Sequence, residues 1–307
     1  MCIQDVLIWN HHRGPKDDES GNDLLWYLKH RQFLNASGDL WVGHIDGTDM
    51  IMTACEPAGY RFSPHRQFSA YYAIVNERPS EPEEYRWDPD QRLVRVLAFS
   101  RLIHPTPTGY DYAARVRRDR EGRVKQVILF GGLNAYSDEE REWLTRAEWN
   151  DVVKLINVYE NTNGAACRRL HSAIWYREKL ATEYYLDVRW VLLATALESI
   201  IGIWLVDRSR KRLPGVSRRF VVGVSRLADS CDVPFSESEA EIMWKRRSSL
   251  AHGQGWPVDS LREGEPSDDI HKRAEDLLNV AICKMIRDLS FRSHFVEDRA
   301  LAKWLGF

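Results

Sequence analysis

The run Trp190–Val206, WVLLATALESIIGIWLV, constrains this chain more than any other stretch. A helix that is apolar on every side has to be covered, by lipid or by other helices. Its 17 residues reach only the lower end of what crosses a bilayer. Glu198 sits at its centre, where an acidic side chain costs roughly 2.5–3.5 kcal/mol to insert. Amphipathic patterns flank the run on both sides. The expectation is therefore a core helix inside a helical bundle, with no membrane association.

The halves of the chain differ in kind. Gln67–Glu77 and Arg92–His104 are rich in β-branched and aromatic residues and read as strands. Leu40–Ile45 is a further short candidate, and Asp23–Leu34 fits either a helix or a strand. Tyr112–Arg118 and Val124–Phe130 flank Asp119-Arg-Glu-Gly122, a good hairpin turn. Pro79–Pro89 reads as a surface loop. From Ser137 onward the apolar spacing turns helical. Ser137-Asp-Glu-Glu140 and Ser236-Glu-Ser-Glu239 are capping boxes, and Ser267-Asp-Asp-Ile270 caps another helix with acids in its first turn. Helices are expected over 138–161, 165–186, 188–206, 216–231, 236–252 and 268–290, with a short one at 296–304. The expected fold class is α+β: a β-rich N-terminal domain, 1–136, then an all-α bundle, 137–307.

Net charge is only about −2, so any attraction to nucleic acid has to come from local patches. The strongest is Arg208–Arg219, where Arg208, Arg210, Lys211, Arg212, Arg218 and Arg219 occur with no acid among them. This run fits an RNA-tracking segment or a solvated loop. Five scattered cysteines without a CxxC suit a reducing compartment, and with no secretory signal read in the sequence a cytoplasmic location is expected. His11-His12 has no further ligand at metal spacing, and no dinucleotide, P-loop, zincin or α/β-hydrolase motif occurs. No metal or cofactor is expected. Trp175-Tyr176, Tyr184-Tyr185 and Tyr71-Tyr72 are assigned to core packing rather than to base stacking.

Arg247-Ser-Ser-Leu-Ala-His252, followed by Gly253, carries the chemistry. An Arg/His pair suffices to cleave RNA without a metal. The histidine moves protons on and off the sugar and leaving oxygens, and the guanidinium holds the charge that builds on the phosphate. Each residue has a plainer role as well. His252 suits a helix C-terminal cap, and Arg247 could be one more cation in Lys245-Arg246-Arg247, where Arg246 is its rival. Glu198 either orients one of these groups or is a buried carboxylate that holds two helices in register. On an ideal helix, residues five apart lie ~140° from each other. A single helix therefore does not present Arg247 and His252 on one face, and a second copy of the chain would complete the pair.

These features occur in a distinctive order: a long amphipathic helix ending near Tyr184-Tyr185, the helix with Ala196-Leu-Glu-Ser199, a basic stretch, Arg247–His252-Gly253, and a closing long helix. In this the C-terminal half resembles the HEPN superfamily, and more narrowly its ApeA-like group. The resemblance implies a four- to five-helix bundle and a homodimer whose two Arg/His pairs face one cleft. It also implies metal-independent endoribonuclease activity of the toxin or antiphage-defence type, acting on tRNA, mRNA or phage RNA. Arg247 and His252 take the catalytic positions. Ser248 stands where the family often has Asn, Asp or His. Other members of the superfamily are non-catalytic interaction modules, which is the second reading; a structural protein with a ligand pocket in its N-terminal half is the third.

Overall fold

The computed structural model describes residues 2–10, 30–44, 71–79, 91–104, 112–130, 144–202, 215–252 and 267–307. The chain forms two compact units, Met1–Asn157 and Val158–Phe307. The first is built on an antiparallel sheet and the second is helical, the α+β organisation expected from the sequence.

The sheet contains β1 (Cys2–Asn10), β2 (Arg31–Phe33), β3 (Leu40–His44), β4 (Tyr71–Pro79), β5 (Tyr112–Arg118) and β6 (Val124–Phe130), in the order β2-β3-β4-β1-β5-β6. The expected hairpin joins β5 to β6. Asp119 Oδ1 accepts the N–H groups of Glu121 and Arg123, both at 2.9 Å. Gly122 follows at φ +80°, a left-handed conformation that glycine adopts without a Cβ clash. The middle of the sheet is buried on both faces: Ile3, Gln4, Asp5, Val6 and Leu7 of β1 are all nearly inaccessible. Asp5 lies directly opposite Arg115 of β5. Its carboxylate accepts from Arg115 Nε at 2.6 Å and from Nη2 at 3.1 Å.

Three sequence expectations need correction. Residues 92–104 do not form a strand; Gln91–Ile103 is a helix, α1, packed against β4. Leu93, Val96, Leu97, Ser100 and Arg101 follow helical spacing, but Ala98 and Phe99 are buried as well. Burial on all sides hides the period that separates helix from strand. The next helix, α2, begins at Arg146 rather than near 138 and runs to Asn161. Its cap is Thr145, which exchanges hydrogen bonds with Glu148: Thr145 N donates to Glu148 Oε2 at 2.8 Å, and Glu148 N donates to Thr145 Oγ1 at 3.4 Å. The box at Ser137–Glu140 lies outside the described residues. Most of α2 belongs with the sheet unit, where Asn150 accepts from Gln32 Nε2 at 2.8 Å. The third correction, to the aromatic pairs, concerns the helical unit.

The helical unit holds α3 (Arg168–Thr182), α4 (Leu186–Ile201), α5 (Val216–Cys231), α6 (Glu237–Ala251), α7 (Ser267–Arg287), α8 (Leu289–Ser293) and α9 (Asp298–Leu305). The apolar helix α4 is its centre and packs against α3, α5, α6 and α7. Trp190, Leu193, Ala196, Leu197 and Ile200 are fully buried. Among the described residues no helix is long and apolar enough to cross a membrane. Gly223 lets α5 approach α4 closely, since a Cβ there would lie 2.7 Å from Ile201 Cδ1.

Gly164 is under a harder constraint. A Cβ at that position would lie 2.6 Å from Cε2 of Tyr159, a ring only 1% exposed. Gly164→Ala is expected to destabilise the helical unit by about 1–3 kcal/mol, the usual cost of forcing a methyl into a packed site. Thermal unfolding measures it, and an unchanged transition would show that the ring yields freely.

The third correction is on α3. Trp175 is 49% exposed, Tyr184 69% and Tyr185 65%, so these aromatics are not core. The buried stripe of α3 is Leu170, Ala173, Ile174, Arg177, Leu180 and Ala181, which leaves Trp175 on the opposite face. Tyr184 and Tyr185 fall in the turn between α3 and α4.

Candidate functional site

The helix that carries Arg247 starts as the sequence predicts. Ser236 Oγ accepts from Glu239 N, and Glu239 Oε2 accepts from Ser236 N at 2.7 Å. Burial alone would raise the Glu239 carboxyl, but its hydrogen bonds with Ser236 and its ion pair with Arg273 hold it below its ordinary value. The cap's electrostatic share is therefore complete above the ordinary carboxylate range and is lost as pH falls through the depressed value. Ser236→Ala is expected to cost about 1 kcal/mol near neutrality and less in acid. Urea unfolding at two pH values checks this.

Arg246 and Arg247 diverge from the helix. Arg246 is 6% exposed, with its guanidinium carbon 5.0 Å from the centroid of the Trp190 ring, so it belongs to the core against α4. Arg247 points to a cleft of about 710 Å³. Its Nη2 donates to Glu198 Oε2 at 3.0 Å, and its guanidinium lies over Trp244 at 5.1 Å. The carboxylate is largely enclosed, at 13% side-chain exposure, whereas Arg247 keeps 27%. A planar guanidinium held on one edge by a carboxylate and packed on an aromatic face has little freedom left. Glu198 therefore orients Arg247 and also ties α4 to α6.

The cleft is lined by residues spaced to share a helix face. Arg168, Ser172 and Tyr176 recur every four residues on α3, and Thr195, Glu198 and Ser199 lie together on α4. Arg169, at its inner edge, is structural. It donates to the carbonyls of Ile200 and Gly202 at the end of α4 and pairs with Asp298. Burial pulls the Arg169 guanidinium below its ordinary value, and Asp298 opposes that shift.

His252 is not in this lining. It is the C-cap of α6, exposed, and its N–H donates to Ser248 O at 3.0 Å. Ser248 is half-buried and likewise outside the cleft. No hydrogen bond joins Arg247 to His252 among the described residues. Of the basic run, Arg208, Arg210, Lys211 and Arg212 lie outside the described residues, as does Gly253. Arg218 is exposed at the start of α5 and pairs with Glu237 at 2.9 Å, while Arg219 is half-buried.

One polar group escaped the sequence reading. His271, Glu275 and Asn279 recur every four residues along α7. Asn279 accepts from Arg177 Nε at 2.9 Å, and Glu275 pairs with Arg177 and Arg189. These side chains link α7 to α3 and α4. The signal was a polar residue at every fourth position, set beside the buried Ile270, Ala274 and Leu278. Burial pushes the Cys231 thiol up to about 11, which disfavours it as a nucleophile near neutrality, and burial raises that of Cys283. Among the described residues no three His, Cys, Asp or Glu side chains are grouped to hold a metal ion.

No protein-family model, curated protein or solved structure matches this chain.

Proposed function

We propose that the helical unit is a metal-independent endoribonuclease of the HEPN type that works as a homodimer. The observation that carries this reading is Arg247, oriented by Glu198 and Trp244 at the wall of a polar cleft. A guanidinium that is fixed before substrate arrives stabilises charge developing on a phosphate without having to reorganise. The packing of the Arg247 helix on the central apolar helix, which carries Glu198, supports the same reading.

The reaction is a transesterification. His252 takes the proton from a ribose 2′-hydroxyl, and the 2′-oxygen attacks the adjacent phosphorus. The bond to the 5′-oxygen breaks as that oxygen gains a proton, from His252 of either subunit. Arg247 holds the non-bridging oxygens. The products carry a 2′,3′-cyclic phosphate and a 5′-hydroxyl. The exposed position of His252 at a helix end suits a site closed by a second copy. The sheet unit is assigned a sensing or restraining role.

Incubation of the full chain with end-labelled RNA in excess EDTA tests the proposal. Cleavage with cyclic-phosphate ends is expected; cleavage that requires a divalent ion would refute the mechanism. The separation of His252 from the cleft also fits a non-catalytic interaction module. RNA left intact under every condition, together with tight dimerisation, would favour that second reading.

A further inference from the structure

The outward face of α3 has a composition that neither the core nor the Arg247 site uses. Its exposed residues include Arg168, His171, Trp175 and Lys179, and Tyr176 is half-exposed. Only one acid occurs on the helix, Glu178, and it is turned inward at 6% exposure. Every charge that α3 presents to solvent is therefore positive. Trp175 leaves half of its surface in water, with Tyr176 edge-on to it at 4.9 Å between ring centroids. The Lys179 ammonium lies 5.6 Å from the Trp175 centroid. Tyr176 and Arg168 also line the cleft that holds Arg247, so this face is continuous with it.

Burying Trp175 would have been favourable, yet the helix carries it on the face opposite its buried stripe. An exposed indole beside cations, on a helix whose one acid is turned inward, is instead suited to unpaired bases. Bases stack on such rings whatever their sequence, while the cations follow the phosphates. A protein partner of ordinary composition would leave these cations to be matched one by one; a polyanion matches all of them at once.

We infer that the outward face of α3, centred on Trp175 and Lys179, is a stacking platform for single-stranded RNA that leads the strand into the Arg247 cleft. This deepens the ribonuclease reading by naming its substrate class, RNA with unpaired bases beside the scissile phosphate. A-form duplex keeps its bases stacked on each other and offers Trp175 no face.

The test measures binding apart from cleavage. The full chain carrying His252→Ala keeps the RNA intact, and fluorescence anisotropy reports its affinity for a labelled oligouridylate. Trp175→Ala is expected to weaken binding roughly 5- to 150-fold, the equivalent of about 1–3 kcal/mol for one stacked base. Trp175→Phe recovers most of this. Lys179→Ala lowers the steepness of the salt dependence by about 0.7. Duplex RNA of the same length binds Trp175→Ala and its parent alike. Oligouridylate affinity unchanged by Trp175→Ala overturns the inference. So does loss of dimerisation in sedimentation with RNA affinity intact, which would make the face a protein interface. Unfolding of each variant is compared with its parent, and since Trp175 is half-exposed the transition should not move. If binding depends on Trp175 but the wild-type chain cleaves nothing, the platform stands and the nuclease reading falls. If cleavage occurs and Trp175 is irrelevant, the reverse holds.

Discussion

His252→Ala is expected to lower RNA cleavage by about 10²- to 10⁴-fold, the usual worth of a positioned general acid or base. Arg247→Ala is expected to cost about 10²- to 10³-fold, as removal of one fixed donor to a developing oxyanion does. His252→Ala should leave the fold unaltered, and Arg247→Ala, which also removes a tie between α4 and α6, is compared with its parent by thermal unfolding. His252 is exposed, and Arg247 sits at the cleft wall with more than a quarter of its side chain in water. Arg247→Lys should remain strongly impaired, because an ammonium keeps the charge but loses the planar fork that grips both Glu198 and a phosphate. Mixing the two inactive variants gives the sharper result. If each site draws Arg247 from one subunit and His252 from the other, mixed dimers contain one intact site. After subunit exchange roughly a quarter of wild-type activity should return, since half the dimers are mixed and each has one of two sites. No recovery in a mixture proven to exchange would place both groups in the same subunit. Activity that survives both substitutions would remove the pair from the chemistry altogether.

Asp5→Ala should have the largest effect on stability, about 3–5 kcal/mol, through the sheet unit. Asp5 is wholly buried and Arg115 only 3% exposed, and two parallel hydrogen bonds join them across adjacent strands. Removing the carboxylate leaves a buried guanidinium without the two hydrogen bonds it makes to Asp5. A fall of roughly 10 °C in Tm is expected for a unit of this size, read by calorimetry on the full chain. Replacing both residues together, as Asp5→Leu with Arg115→Met, should recover most of the loss, because a well-packed apolar pair is often as stable as the ion pair it replaces. If the double variant is no better than Asp5→Ala, packing around the site rather than the stranded charge sets the cost.

The helical unit was largely legible from the chain alone. Helix α5 occupies the expected 216–231, and α6 begins one residue after Ser236, because its cap is encoded in four consecutive residues. The β5–β6 hairpin was legible for the same reason, through Asp119 and Gly122. Helix α1 was not, since burial on every side erased its period. Thr145 and Glu148 also form a capping pair, but the capping-box pattern at Ser137–Glu140 drew the expected start of α2 too far upstream.

The candidate site divides along the same line. Sequence nominated Arg247, His252 and Glu198, because their residue types and spacing are local facts. Only the tertiary structure decided that Glu198 pairs with Arg247, across 49 positions, and that Arg246 goes into the core. It also left His252 outside the cleft and turned Trp175 outward. Asp5 and Arg115 meet across 110 positions in the same way. The physical reason is the range of each interaction. Caps, turns and helical period act within a few residues and can be read in a short window. Which face is buried, and which charge meets which, depends on segments that become neighbours only when the chain has folded back on itself.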